Sequence, residues 1–119
     1  MKQAEQTNII NLPSPIARLW KSYLAAAEVK QRVYARYDDA DAGGDEDEID
    51  SAEAACDLAY DDLADISEAI LQARPASLID LAIQADVIAR READLGGPCD
   101  QEEIANFCRD VQIVAASVI

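Results

Sequence analysis

The sequence predicts an all-α protein, a four-helix arrangement built on a long antiparallel helical hairpin. Three observations carry this expectation. Between Asp45 and Ala73 the apolar positions Ile49, Ala52, Cys56, Ala59, Leu63, Ile66, Ile70 and Ala73 step by threes and fours. That is the repeat of a helix packed lengthwise on another helix. A second run with the same repeat, Ile16, Trp20, Tyr23, Ala27, Lys30, Tyr34 and Tyr37, lies upstream. No stretch alternates apolar and polar residues between turn signals, as a half-buried strand would.

Taken in order, residues 1–13 read as an N-terminal arm whose Ile9, Ile10 and Leu12 can dock on the bundle. Residues 14–119 read as a single helical domain. Ser14-Pro15 supplies a hydroxyl to cap free amides and a proline suited to the first helical position. The first helix is predicted over 15–37, with Leu19, Leu24 and Val33 widening its apolar face. Lys30 is the one charged residue on that seam. Its stem is expected to lie along the seam while its ammonium meets an acid of the facing helix.

An Asp-rich connection at 38–48, containing Gly43-Gly44, turns the chain into the second helix, which Arg74-Pro75 stops. Ser77-Leu78-Ile79-Asp80 resembles a capping box and opens a third helix over 77–94. That helix is apolar nearly all round, so it is expected at the centre of the fold or shared with another subunit. Gly96-Gly97-Pro98 ends it. Asp100-Gln101-Glu102-Glu103 opens a fourth helix with the face Ile104, Phe107, Cys108, Val111, Val114, Ala115 and Val118. The third helix and the apolar stretch 113–119 favour a homodimer.

Charge is distributed unevenly along the 119 residues, whose net charge is −14. Residues 1–37 hold six Lys/Arg against two Glu; 38–73 hold fourteen acids and no base; 74–119 hold four Arg against eight acids. Such a surface opposes direct nucleic-acid binding, which needs clustered cations, and suits a basic protein partner. Three cysteines and no histidine fit a reducing bacterial cytoplasm better than a disulfide scaffold. No secretory leader or membrane-length apolar window is read, so no membrane association is expected.

Two constellations bear on function. The connection between the first two helices aligns in part with an EF-hand calcium loop, placing Asp39, Asp41, Asp45, Asp47 and Asp50 at ligand positions and Gly44 at the sharp turn. Glu46 stands where an apolar residue belongs, Gly43 brings no side-chain ligand, and Asp50 is too short for the usual bidentate Glu. The plain alternative is a solvated loop. The second constellation is the stripe Asp50, Glu53, Asp57, Asp61, Asp65 and Glu68, whose spacing keeps the carboxylates on one helical face. Basic residues of the first helix (Arg18, Lys21, Lys30, Arg32, Arg36) or a foreign basic protein could answer it, the latter by treating the carboxylates as a phosphate strand. The plain alternative here is a solvated face.

Cys56 and Cys108 sit on apolar seams and read as core residues, whereas Cys99 falls in a loop and reads as exposed. No zinc-type spacing is present. Without histidine, and without a nucleophile-elbow serine, no catalytic residue is assigned and the chain is read as non-enzymatic.

The segment Arg74-Pro75-Ala76-Ser77-Leu78-Ile79-Asp80-Leu81-Ala82-Ile83-Gln84-Ala85 resembles one found in small acidic helical proteins of alphaproteobacteria, some of them associated with prophages or mobile elements. The likeness covers the layout of 16–118 and about a dozen residues in motif. It implies a helical fold and a mobile-element setting, and carries no assigned activity or site residue.

The functional expectation is therefore an acidic helical interaction protein engaging a basic protein surface through the second helix. Two alternatives stand beside it: weak calcium binding through 39–50, and a purely structural helical homo-oligomer.

Overall fold

The computed structural model describes residues 13–118. They form four helices, α1 (Pro15–Gly43), α2 (Glu46–Gln72), α3 (Leu78–Leu95) and α4 (Gln101–Val118), with no strand among them. Apart from Pro13, the expected arm with Ile9, Ile10 and Leu12 lies outside the described residues.

The caps expected from sequence are made. Ser14 Oγ accepts from the Ala17 N–H at 3.0 Å, with Pro15 following as the first helical residue. Ser77 Oγ accepts from the Asp80 N–H. Asp100 and Glu103 form a reciprocal box, each side chain accepting from the other's amide at 2.8 and 3.0 Å. Gly44 and Gly96 close α1 and α3 at φ 75° and 79°, a left-handed conformation that glycine enters without a Cβ clash.

One boundary differs from expectation. α1 does not stop at Tyr37 but continues through Asp38–Ala42 to Gly43, leaving only Gly44 and Asp45 between the two long helices. Asp residues are indifferent helix formers, but Ala40 is buried, and packing overrides so small a propensity cost. Asp45 caps α2 by accepting from the amides of Asp47 and Glu48. Glu46, Asp47 and Glu48 then occupy the first turn, where the helix dipole favours negative charge.

The α1–α2 hairpin is the most extensive pairing in the fold. Along α2, Ala52, Cys56, Ala59, Leu63 and Ile70 are buried, and Ile49, Ile66 and Ala73 are half-buried, as the seam requires. A hydrophobic core of Ile16, Tyr23, Leu63, Ile70, Ile83, Val87 and Leu95 joins three helices, and among the described residues none of it comes from α4. The body measures 60 × 42 × 15 Å with a radius of gyration of 18.4 Å. A compact chain of this length would have about 13 Å, so the molecule is a slab rather than a ball.

α3 is not centrally buried. Its inner face is Asp80, Leu81, Ile83, Gln84 and Val87, while Leu78 and Ile79 are 61 % and 71 % exposed and Ala82, Ala85 and Ala89 face outward. Two buried polar side chains hold it. Gln84 Nε2 donates to the Ile70 and Ala73 carbonyls at 3.0 and 2.9 Å, satisfying the end of α2 where Pro75 prevents further helix. Asp80 accepts from Ser14 Oγ and from the Ala76 N–H. The far end of α3 is tied by Tyr23 Oη donating to Asp94 at 2.6 Å and Tyr60 Oη donating to the Leu95 carbonyl at 3.0 Å.

Candidate functional site

The acidic stripe is intact as a surface. Asp50, Glu53, Asp57, Asp61, Asp65 and Glu68 are all helical and all exposed. At 3.6 residues per turn they fall within an arc of about 120° centred roughly 160° from the buried seam. They therefore point away from α1, and the expected meeting with its cations does not occur. Arg36 donates instead to Ser51 Oγ at 3.2 Å, and the Lys30 ammonium lies 4.0 Å above the Tyr34 ring rather than on an acid. Among the described residues the only ion pairs are Arg90–Asp94 and Arg91–Glu103, neither of which involves the stripe. Among the described residues Glu68 alone of the six accepts a side-chain hydrogen bond, from Gln72 one turn on.

Leu58, which the seam pattern passed over, is 64 % exposed on α2 beside Asp57, Asp61 and Asp62. Its signal in the sequence is simple: a large apolar residue off the three-and-four repeat. At its far end the stripe runs into a groove of about 440 Å³, lined by Glu68, Ala64, Leu71, Arg91, Glu102 and Glu103. Arg91 donates there to Glu103 at 3.3 Å and to buried Ser67 at 3.2 Å, so one guanidinium joins α2, α3 and α4.

The calcium-loop reading does not survive the geometry. Asp39 and Asp41 belong to the last turns of α1, Asp45 is spent as a cap, and Asp47 and Asp50 lie in α2. A twelve-residue ligand loop folds round one ion so that ligands from positions one to nine converge, whereas here only two residues connect the helices. Among the described residues no three Cys, Asp or Glu side chains gather as a metal site.

A second groove, of about 480 Å³ between α1 and α3, is lined by Lys30, Tyr34, Leu63, Arg90 and Asp94 among others. Its Arg90 and Asp94 are already engaged. Arg90 bonds Asp94 at 3.0 Å and lies 5.3 and 5.6 Å from the Tyr23 and Trp20 ring centroids, and those rings stack on each other. Burial first, then donation to Asp94, pushes the Tyr23 phenol well above its usual value, which keeps it protonated and inert as a base. Trp20 and Tyr23 thus act in packing, as their spacing implies.

The cysteine assignment is corrected in two of three places. Cys56 is buried as expected, with Sγ donating to the Val33 carbonyl at 3.4 Å, but Cys99 is buried and Cys108 exposed. Burial raises the thiol pKa of both Cys56 and Cys99. The loop before α4 is folded against the body, whereas α4 turns the side carrying Cys108 outward. No described helix is long and apolar enough to cross a membrane. Comparison with known proteins returned no matching family model, no matching curated protein and no matching solved structure.

Proposed function

We propose that this chain is a non-catalytic interaction protein that engages a basic surface of another protein through the outer face of α2. The observation that carries the reading is the disengagement of the stripe. Six carboxylates stand on one exposed face while the nearest cations of the same chain are occupied elsewhere or turned away. Like charges at this spacing destabilise a helix by a few tenths of a kcal/mol per pair. An approaching Lys/Arg surface would reverse that penalty, and Leu58 offers an apolar contact within the acidic field.

The test compares Asp57→Asn/Asp61→Asn/Asp65→Asn with a control of equal charge change, Asp38→Asn/Asp39→Asn/Asp41→Asn. Affinity capture from source lysate is run at low and high salt. A basic protein retained by wild type and control, lost from the α2 variant and weakened by salt is the expected result. Equal loss from both variants would reduce the effect to bulk charge and overturn the assignment to α2.

A further inference from the structure

The first turn of α3 leaves two adjacent large side chains in water. Ile79, at 71 %, is the most exposed large apolar residue among those described, and Leu78 stands beside it. On a helical wheel at about 100° per residue, exposed Ala82 falls between them, and the three share an arc of about 100°. No charged residue enters that arc before Asp86.

The path of the chain selects what covers this patch. Ser14 Oγ lies 2.6 Å from Asp80 Oδ1, which fixes the start of α1 beside the residue that follows Ile79. The Tyr23–Asp94 bond, farther along both helices, shows that α1 and α3 run in the same direction. The chain thus enters α1 at the level of Leu78 and Ile79. It does so on the flank of α3 that carries Ile79, buried Ile83 and Arg90, the last lying over Trp20 of α1. Twelve residues precede Pro13, and their large aliphatic members other than Met1, namely Ile9, Ile10 and Leu12, gather at the end nearest to it. Leu12 is two residues from Ser14, a span of at most about 7 Å, and Ile9 is five, at most about 18 Å.

We infer that Ile9, Ile10 and Leu12 fold back over Leu78, Ile79 and Ala82, so that the arm covers the start of α3. Leu12 meets Ile79, and Ile9 and Ile10 reach round to Leu78. Attachment favours this occupant, since a tethered segment meets the patch at a roughly millimolar effective concentration and gives up little translational freedom. Charge favours it too. Residues 1–12 carry only Lys2 and Glu5, whose charges cancel, whereas a second copy would bring another −14 to a body already at −14. A basic partner would find no carboxylate on the arc before Asp86.

The experiment measures methyl–methyl nuclear Overhauser contacts in the full chain. An equal mixture of labelled and unlabelled protein separates contacts within a chain from contacts between chains. Contacts from Leu12 and from Ile9 or Ile10 to Leu78 and Ile79, within one chain and unchanged on dilution, are the expected result. Thermal melts supply the energetic half. Ile9→Gln/Ile10→Gln/Leu12→Gln and Leu78→Gln/Ile79→Gln should each lower Tm by about 4 °C. Combined, they should fall well short of the sum, because each set removes the same contact. A bare patch behaves otherwise, since polar replacement of exposed side chains leaves stability nearly unchanged. Contacts only between chains, no contact at all, an unchanged Tm, or additive losses each overturn the proposal. The contact is on α3, so its failure leaves the reading of the α2 face untouched, and the loss of that reading leaves this contact in place.

Discussion

Ser14 Oγ donates to Asp80 Oδ1 at 2.6 Å, tying the start of α1 to the start of α3 across 66 residues of chain. Ser14 is also the cap of α1, and Asp80 lies in the first turn of α3 with its amide donating to the cap Ser77, so one bond joins two capping arrangements. Ser14→Ala should cost about 2 kcal/mol, of which ~1 is the cap and the remainder the bond to a buried carboxylate. In a denaturant series with Asp80→Ala, the double variant should lose about 1 kcal/mol less than the sum of the singles. Strict additivity would show that the two caps act independently.

Tyr23 makes stability fall at alkaline pH. Its phenol is held above the ordinary value in the folded chain, so the folded state keeps a proton that the unfolded chain releases near pH 10. The contribution is whole below that value and is lost as pH rises beyond it. Tyr34 is raised in the same direction by burial, so Tyr23→Phe should flatten the decline without abolishing it. At neutral pH the same substitution should cost about 2 kcal/mol, the worth of a hydrogen bond to a charged acceptor. Thermal melts at closely spaced pH values between neutrality and the alkaline limit check both statements.

Gln84→Leu should destabilise by about 2 kcal/mol despite adding an apolar side chain to a buried site, because the Ile70 and Ala73 carbonyls would lose their shared donor. Hydrogen exchange should then show faster opening of the last turn of α2 than of its middle.

Much of this was legible in advance, and the reasons differ by element. The α2 seam could be read because a single period runs unbroken from Ile49 to Ala73, and Pro75 marks its end. The end of α1 could not: Asp38, Asp39 and Asp41 look like loop, and only the burial of Ala40 against the hairpin keeps them helical. The α2 stripe was legible as a face, but not its separation from the α1 cations, because one helix's period does not fix how its neighbour is rotated. The same gap explains α4, whose pattern names an apolar arc without saying which part of it the chain covers. Asp80 and Gln84 look like ordinary polar residues until the helix ends they satisfy are brought beside them.

The thiols offer a direct check on that gap. In dilute native protein Cys108 should react quickly with a disulfide reagent, while Cys56 and Cys99 wait for unfolding, their thiols buried and raised in pKa. Rapid modification of Cys99 would contradict the packing of the loop before α4.

Arg91→Met should release α4 selectively. The guanidinium bonds Ser67 and Glu103 in a half-exposed setting, so its loss should cost only about 1–2 kcal/mol. Amides of α4 should exchange faster while those of the α1–α2 hairpin keep their rates, a contrast that mass-resolved exchange would resolve.

A body 15 Å thick is scarcely deeper than one helix with its side chains. Depth adds little in such a body, so resistance to deuterium should come chiefly from the helical ladder and its lateral neighbours. The slowest amides should gather where three helices converge, around Tyr23, Leu63 and Val87. From there protection should fade lengthwise toward the tips of the hairpin, giving the chain the exchange profile of a ribbon rather than of a nut with a kernel.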